Sequence, residues 1–225
     1  VISYQDGNII HFTSSDGHPQ HLAEGNISVY HFYFNMVNQK FYTSDGTELS
    51  TPLSISTITP VHLTINPDTS WILDISTKAG LPRILYVLYP NGMNNQWINK
   101  ELWFIEWDGS AWVNNKKIAD TMTGYIETGG TIYEYCYEGA SRFDTKNVDI
   151  IWMPKQVNGI LEIHKVDISS IPTYVEQITF NSTVDNWRPI SIPSSVNNLV
   201  WLSKTNYITY TDWQMSLYTQ TMAVK

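Results

Sequence analysis

Cysteine, arginine and long apolar runs are all scarce in this 225-residue chain. One cysteine, Cys136, excludes an intrachain disulfide. Its flanks, IYEYCYEG, alternate as a strand does, which reads the thiol as a buried group rather than a nucleophile. Arginine occurs only at Arg83, Arg142 and Arg188, and the 13 basic residues face 21 acidic ones for a net charge of −8. That balance leaves no electrostatic footprint for duplex nucleic acid or an anionic membrane surface. No apolar run approaches the ~20 residues of a membrane span. The opening VISYQDGNII lacks the layout of a signal peptide. A start without Met, directly in strand-like sequence, predicts a piece excised from something longer. Charged residues make up 15 % of the chain, against roughly 25 % in an average domain. No apolar stripe at helical spacing is found anywhere.

Aromatics and uncharged polar residues fill the gap, with nine Trp and fourteen Tyr. Such a composition suits many-stranded folds and surfaces that handle sugars. Short alternating runs recur along the whole chain: NIIHFTS, SVYHFYFN, SWILDIS, LPRILYVLYP, ELWFIEWDGSAW, DIIWMPK, ILEIHKVDI and YITYTDW. Asp-Gly, Asn-Gly and Lys-Ala-Gly sit where hairpins would turn. The expectation is an all-β chain without helical interludes, a sandwich, barrel or propeller. No linker-like boundary appears, so residues 1–225 read as one domain.

Repeats favour the propeller. Trp107-Asp108-Gly109-Ser110-Ala111-Trp112 resembles the Asp-box turn of sialidase-type blades. Thr43-Ser44-Asp45-Gly46-Thr47 and Ser14-Ser15-Asp16-Gly17 look like worn versions of it. At ~40–50 residues per four-stranded blade, the chain holds about four to five blades. Longer strings then follow in a fixed order: DGHP at 16–19, SVYHFYF at 28–34, WILDI at 71–75, GLPRILY at 80–86, EIHK at 162–165, NWRP at 186–189 and YITYTDW at 207–213. This order resembles the C-terminal part of the BNR-repeat propeller family, which includes ulvan-lyase-like polysaccharide lyases and related sugar hydrolases. Members form larger seven-bladed rings with an early His-Asn segment, and nothing in this chain matches that segment.

The resemblance implies an acidic polysaccharide as substrate and β-elimination at a uronic acid as chemistry. In such lyases a neutral His or a Tyr removes the C5 proton, a Tyr protonates the leaving oxygen, and a cation neutralises the carboxylate. Carried over, these roles fall to His18, Tyr30 and Arg188. His18-Pro19 equally reads as a turn that caps a blade, and Arg188 equally as a structural tie between blades. Arg83, at the head of an apolar strand, reads as structural. Tyr125, Tyr133, Trp187, Tyr207, Tyr210 and Trp213 lie near turns or strand ends, and of these Trp187, Tyr125, Tyr207 and Tyr210 are the candidate sugar-stacking rings. Trp103, Trp107, Trp112, Trp152 and Trp201 alternate in mid-strand and read as core. Asp74 interrupts an apolar strand, where an acid more often bonds neighbouring backbone N–H groups than it catalyses.

His18-Pro-Gln-His21 alone defines no zinc site, and no phosphate loop or nucleophile elbow is present. No metal and no cofactor is expected. The expected partner is a polysaccharide or cell-surface glycan, with further blades or chains outside this sequence as another. A secreted, cell-surface or virion-surface location follows. The alternative reading is a non-catalytic glycan-binding or structural propeller of a phage tail fibre or spike.

Overall fold

The computed structural model describes residues 1–17, 27–65, 67–91, 100–120, 141–169, 174–193, 197–209 and 212–222. Among them every regular element is a strand, and every strand pairing is antiparallel. Two compact units emerge: Val1–Gln96 with Glu101–Ala119, and Trp97–Lys100 with Asp120–Lys225.

The first unit holds two sheets. One runs in the order β1 (Ile2–Asp6), β2 (Ile9–Ser15), β3 (Val29–Asn35), β4 (Lys40–Tyr42) and β5 (Glu48–Leu49). The far edge of β3 is shared end to end, because β6 (Thr59–His62) pairs with its first residues and β4 with its last. The other sheet is a four-stranded meander of β7 (Thr69–Lys78), β8 (Leu81–Tyr89), β9 (Glu101–Trp107) and β10 (Trp112–Asp120). Strand β8 is buried on both faces from Pro82 onward, which explains why LPRILYVLY reads as a nearly continuous apolar run rather than a strict alternation. Val29, Val61, Ile72, Ile84, Tyr86, Leu88 and Ile105 form the core of this unit. Each such aliphatic side chain contributes about 2 kcal/mol of transfer free energy. Arg83 is buried as well, paired with Glu106 at 2.7 Å and lying over the Phe104 ring.

The second unit holds β11 (Arg142–Phe143), β12 (Ile150–Val157), β13 (Ile160–Asp167) and β14 (Tyr174–Gln177) in one four-stranded sheet. A three-stranded sheet follows, of β15 (Asn186–Ile192), β16 (Asn197–Thr209) and β17 (Asp212–Met222). Ile150, Trp152, Ile163, Leu199 and Trp201 pack between them. The all-β expectation therefore holds, as does the blade-like sequence of short antiparallel sheets.

Turn chemistry explains the hairpins. Asn158 and Gly159 both take positive φ, 51° and 87°, as a two-residue turn of the primed type requires. Ala79 and Gly80 do the same between β7 and β8, although alanine bears a Cβ that disfavours its φ of 52°. Ala79→Asn should stabilise the first unit by about 0.5–1 kcal/mol, read as a higher urea midpoint with an unchanged slope. At Asp108 the carboxylate accepts from the backbone N–H groups of Ser110 and Ala111 and from the Ser110 hydroxyl, each at 2.8 Å. Asp144 builds a similar turn without glycine, taking the N–H groups of Lys146 and Asn147 while its second oxygen accepts from Trp152 Nε1. Ser14-Ser15-Asp16-Gly17 is not a tight hairpin. Strand β2 ends at Ser15, β3 begins at Val29, and Asp16 instead accepts the Ser28 N–H across that connection.

Candidate functional site

One end of the first unit gathers its longer connections. The tight turns after β1 and β7 meet at the opposite end, where Thr77 Oγ1 donates to Asp6 Oδ2. At the gathering end Ser70 N–H donates to the Ile27 carbonyl, and Asn91 N–H to Asp68 Oδ1. Asp16 and Ser28, Ile27 and Ser70, and Asp68 and Asn91 are thereby brought to one edge, where strand-end side chains can reach a ligand.

His62, the last residue of β6, stands at that edge and is half-buried. Its ring stacks on Tyr86 with centroids 5.0 Å apart. The exposed Asn115 joins the two: its Nδ2 donates to His62 Nδ1 at 3.3 Å, and the Tyr86 hydroxyl donates to its Oδ1 at 2.5 Å. Beyond Tyr86 lies Trp103, whose Nε1 donates to Glu101, and Glu101 also pairs with Lys117 at 2.8 Å. Burial holds the His62 imidazole below its ordinary value, with Asp68 opposing the shift. Burial pushes the Tyr86 phenol up, with the bond to Asn115 opposing. Near neutral pH both rings are uncharged. With Nδ1 accepting, His62 carries its proton on Nε2. The edge thus offers an amide and an imidazole N–H, both neutral donors, beside the Lys117–Glu101 ion pair. Tyr86 is fully buried, so its role is to hold the Asn115 amide in place.

Tyr30 lies on β3, with its hydroxyl donating to Asp16 Oδ2 at 3.0 Å. Burial raises its pKa, and the neighbouring Asp16 raises it further, so the phenol keeps its proton. Asp16 opens the connection that bears His18, and His18 and His21 lie outside the described residues. So do Cys136, Tyr125, Tyr133 and Tyr210, as does the side chain of Tyr207, whose backbone runs in β16.

Arg188 belongs to the second unit. It is exposed and takes φ 49° at a register shift between Trp187 and Ile190. The bulge aims Arg188 outward while Trp187 stays buried against Leu161, with the Lys204 ammonium 5.1 Å from its ring. Arg188→Gly should therefore keep or raise the stability of this unit, by up to about 1 kcal/mol, while removing the guanidinium. A thermal melt checks it. Asp74 Oδ1 accepts from the Ile75 N–H beside a bulge in β7. Among the described residues no three His, Cys, Asp or Glu side chains are grouped to hold a metal ion. No helix there is long and apolar enough to cross a membrane.

No family model matches the chain, and no curated protein does. Solved structures do. A polysaccharide lyase of family PL25, an ulvan lyase bound to -[GlcA(1-4)Rha3S]-, superposes with a TM-score of 0.63 at 16 % identity. The match covers 97 % of this chain and 50 % of that one. A second ulvan lyase structure of the same family gives a TM-score of 0.58 at 13 % identity, over 97 % of this chain and 54 % of that one. The likeness is one of fold. It places the chain beside propeller lyases, carries no BNR-repeat assignment, and spans about half the length of the structures matched.

His62, Tyr86 and Asn115 were not singled out by reading the sequence. A signal was present in WVNNKK: two asparagines inside an alternating strand announce a break, and Asn114 indeed takes φ 55°.

Proposed function

We propose that this chain binds an acidic polysaccharide and takes part in its cleavage by β-elimination at a uronic acid. The observation that carries the proposal is the pair Asn115 and His62 at the connection-rich edge of the first unit, neutral N–H donors beside the Lys117–Glu101 ion pair. Such a pair recognises a uronate carboxylate locally, which a chain of net charge −8 cannot attract at long range. The fold shared with ulvan lyases supports the same substrate class.

In this reading Tyr30, held protonated beside Asp16, donates to the leaving oxygen, and His18 withdraws the C5 proton. On the second unit Arg188 makes a separate contact to a carboxylate of the glycan, and Tyr125, Tyr207 and Tyr210 supply stacking faces there. Atoms balance: the C5–H and C4–O bonds break, a C4–C5 double bond forms, and the proton count is unchanged.

Asn115→Ala should weaken binding to uronate-containing oligosaccharides about tenfold, with neutral ones little affected, because one charge-assisted hydrogen bond is lost. His18→Ala should abolish the ultraviolet absorbance of new unsaturated ends while leaving binding nearly intact, since a base acts in the transition state. Binding without unsaturated product from any uronate polymer would leave a glycan-binding module. No binding at all would overturn both readings.

A further inference from the structure

Strand β17 pairs with β16 through residues 212–222, and among the described residues with no other strand. Its sheet has three strands where β7–β10 and β11–β14 each make four. Beyond Met215, which packs with Leu202 against Leu161 and Trp187, β17 carries exposed side chains on both faces: Leu217 is 71 % exposed and Tyr218, its neighbour on the other face, 50 %. Ser216, Thr219 and Gln220 are exposed too. On the Leu217 face the apolar surface continues across Leu202 and Val200 to Ile190 and Ile192, of which Ile190 is 51 % exposed.

Edge strands are ordinarily protected by Lys, Pro or an inward charge. Between Trp213 and Met222, WQMSLYTQTM, β17 has none of these and no charge at all. In a chain of net charge −8, this long uncharged edge is an exception, and it bears on the identity of the partner. A two-fold contact brings each residue against the same segment of another copy, so like charges would meet across the axis. An uncharged strand avoids that penalty in any register.

We propose that β17 pairs antiparallel with β17 of a second copy of this chain, joining two three-stranded sheets into one six-stranded sheet across a two-fold axis. The pairing satisfies the outward backbone N–H and C=O groups of both strands. It brings the two Leu217 faces together into one continuous apolar surface.

The test is sedimentation velocity of the full chain over a range of concentrations, beside the double variant Leu217→Lys/Thr219→Lys. Both positions are exposed, so the variant keeps its fold, which circular dichroism and a melt verify. Wild type should show a concentration-dependent dimer, and the variant should weaken dimerisation at least about tenfold through like charges facing each other. Hydrogen exchange adds a local readout: amides of residues 214–220 should be protected at high wild-type concentration and unprotected in the variant. A monomeric wild type at every concentration, a species larger than a dimer, or a dimer that survives in the double variant would overturn the proposal.

Discussion

Replacing Glu162 by alanine should cost the second unit about 4 kcal/mol, the sum expected when a buried carboxylate is removed and its donors are left unpaired. Glu162, on β13, is 2 % exposed. Its oxygens accept from Thr179 Oγ1, from the backbone N–H and hydroxyl of Ser182, each at 2.8 Å, and from Asn186 Nδ2. Asn186 carries the network onward, donating to Ser182 Oγ and accepting from Trp201 Nε1 at 2.9 Å within the core. One carboxylate therefore ties β13, the segment before β15, and β16. Burial alone would raise the pKa of Glu162, but the bonds from Thr179 and Ser182 outweigh it and hold the group below its ordinary value of 4.5. The sign follows: its stabilisation is complete above pH 4.5 and disappears as pH falls through the lower folded value. Glu162→Gln should lose about half as much stability at pH 7 and flatten the acid limb below pH 4.5. For a unit of this size the alanine variant should melt about 20 °C lower. Glu176→Ala, which breaks an exposed pair with Lys165 at 3.9 Å, should change stability by under about 0.5 kcal/mol. A drop of less than about 1 kcal/mol for Glu162→Ala would show that the network is dispensable.

Strands and most hairpins were legible in the sequence because their signals are local. A period of two marked β2, β9 and β13, and Ala79-Gly80, Asn158-Gly159 and Asp108-Gly109 marked turns through the need for positive φ. Asp144 escaped notice because its turn is closed by a side chain rather than by a glycine. Asp16-Gly17 misled for the converse reason: the dipeptide is there, but its carboxylate serves Ser28 and Tyr30. The candidate site was the least legible part. Asn115 is 53 residues from His62 and 29 from Tyr86, and side-chain hydrogen bonds rather than strand pairing join them. Arg83 illustrates what composition alone can do. A scarce cation at the head of an apolar strand was read as structural, and Glu106 supplies the partner that makes its burial tolerable.

Acid should loosen the first unit well before its carboxylates titrate, through a pair of buried histidines. His11 on β2 and His31 on β3 are 6 % and 1 % exposed, and His11 Nδ1 lies 3.1 Å from His31 Nε2. Trp112 Nε1 donates to Ser44 Oγ, which lies 2.8 Å from His31 Nδ1. The two neutral rings share one proton across the contact between His11 Nδ1 and His31 Nε2, and a proton on both of these nitrogens would set two donors against each other. Burial brings His11 down to about 4 against the raising influence of Asp6, and burial together with the neighbouring His11 holds His31 well below its ordinary range. Both groups bind protons more readily in the unfolded chain. Stability should therefore fall as pH drops from 6.5 toward 4, with a loss on the order of 3 kcal/mol from His11 alone. His11→Asn retains an acceptor near the Nδ1 position and cannot titrate there. It should cost only about 1 kcal/mol at pH 7 and remove much of the slope between pH 6.5 and 4. His62, also held below 6.5 by burial, leaves a residual slope. Urea unfolding of wild type and variant at a series of pH values measures the difference. Parallel pH profiles for the two proteins would mean that the histidine pair does not govern the acid sensitivity of this unit.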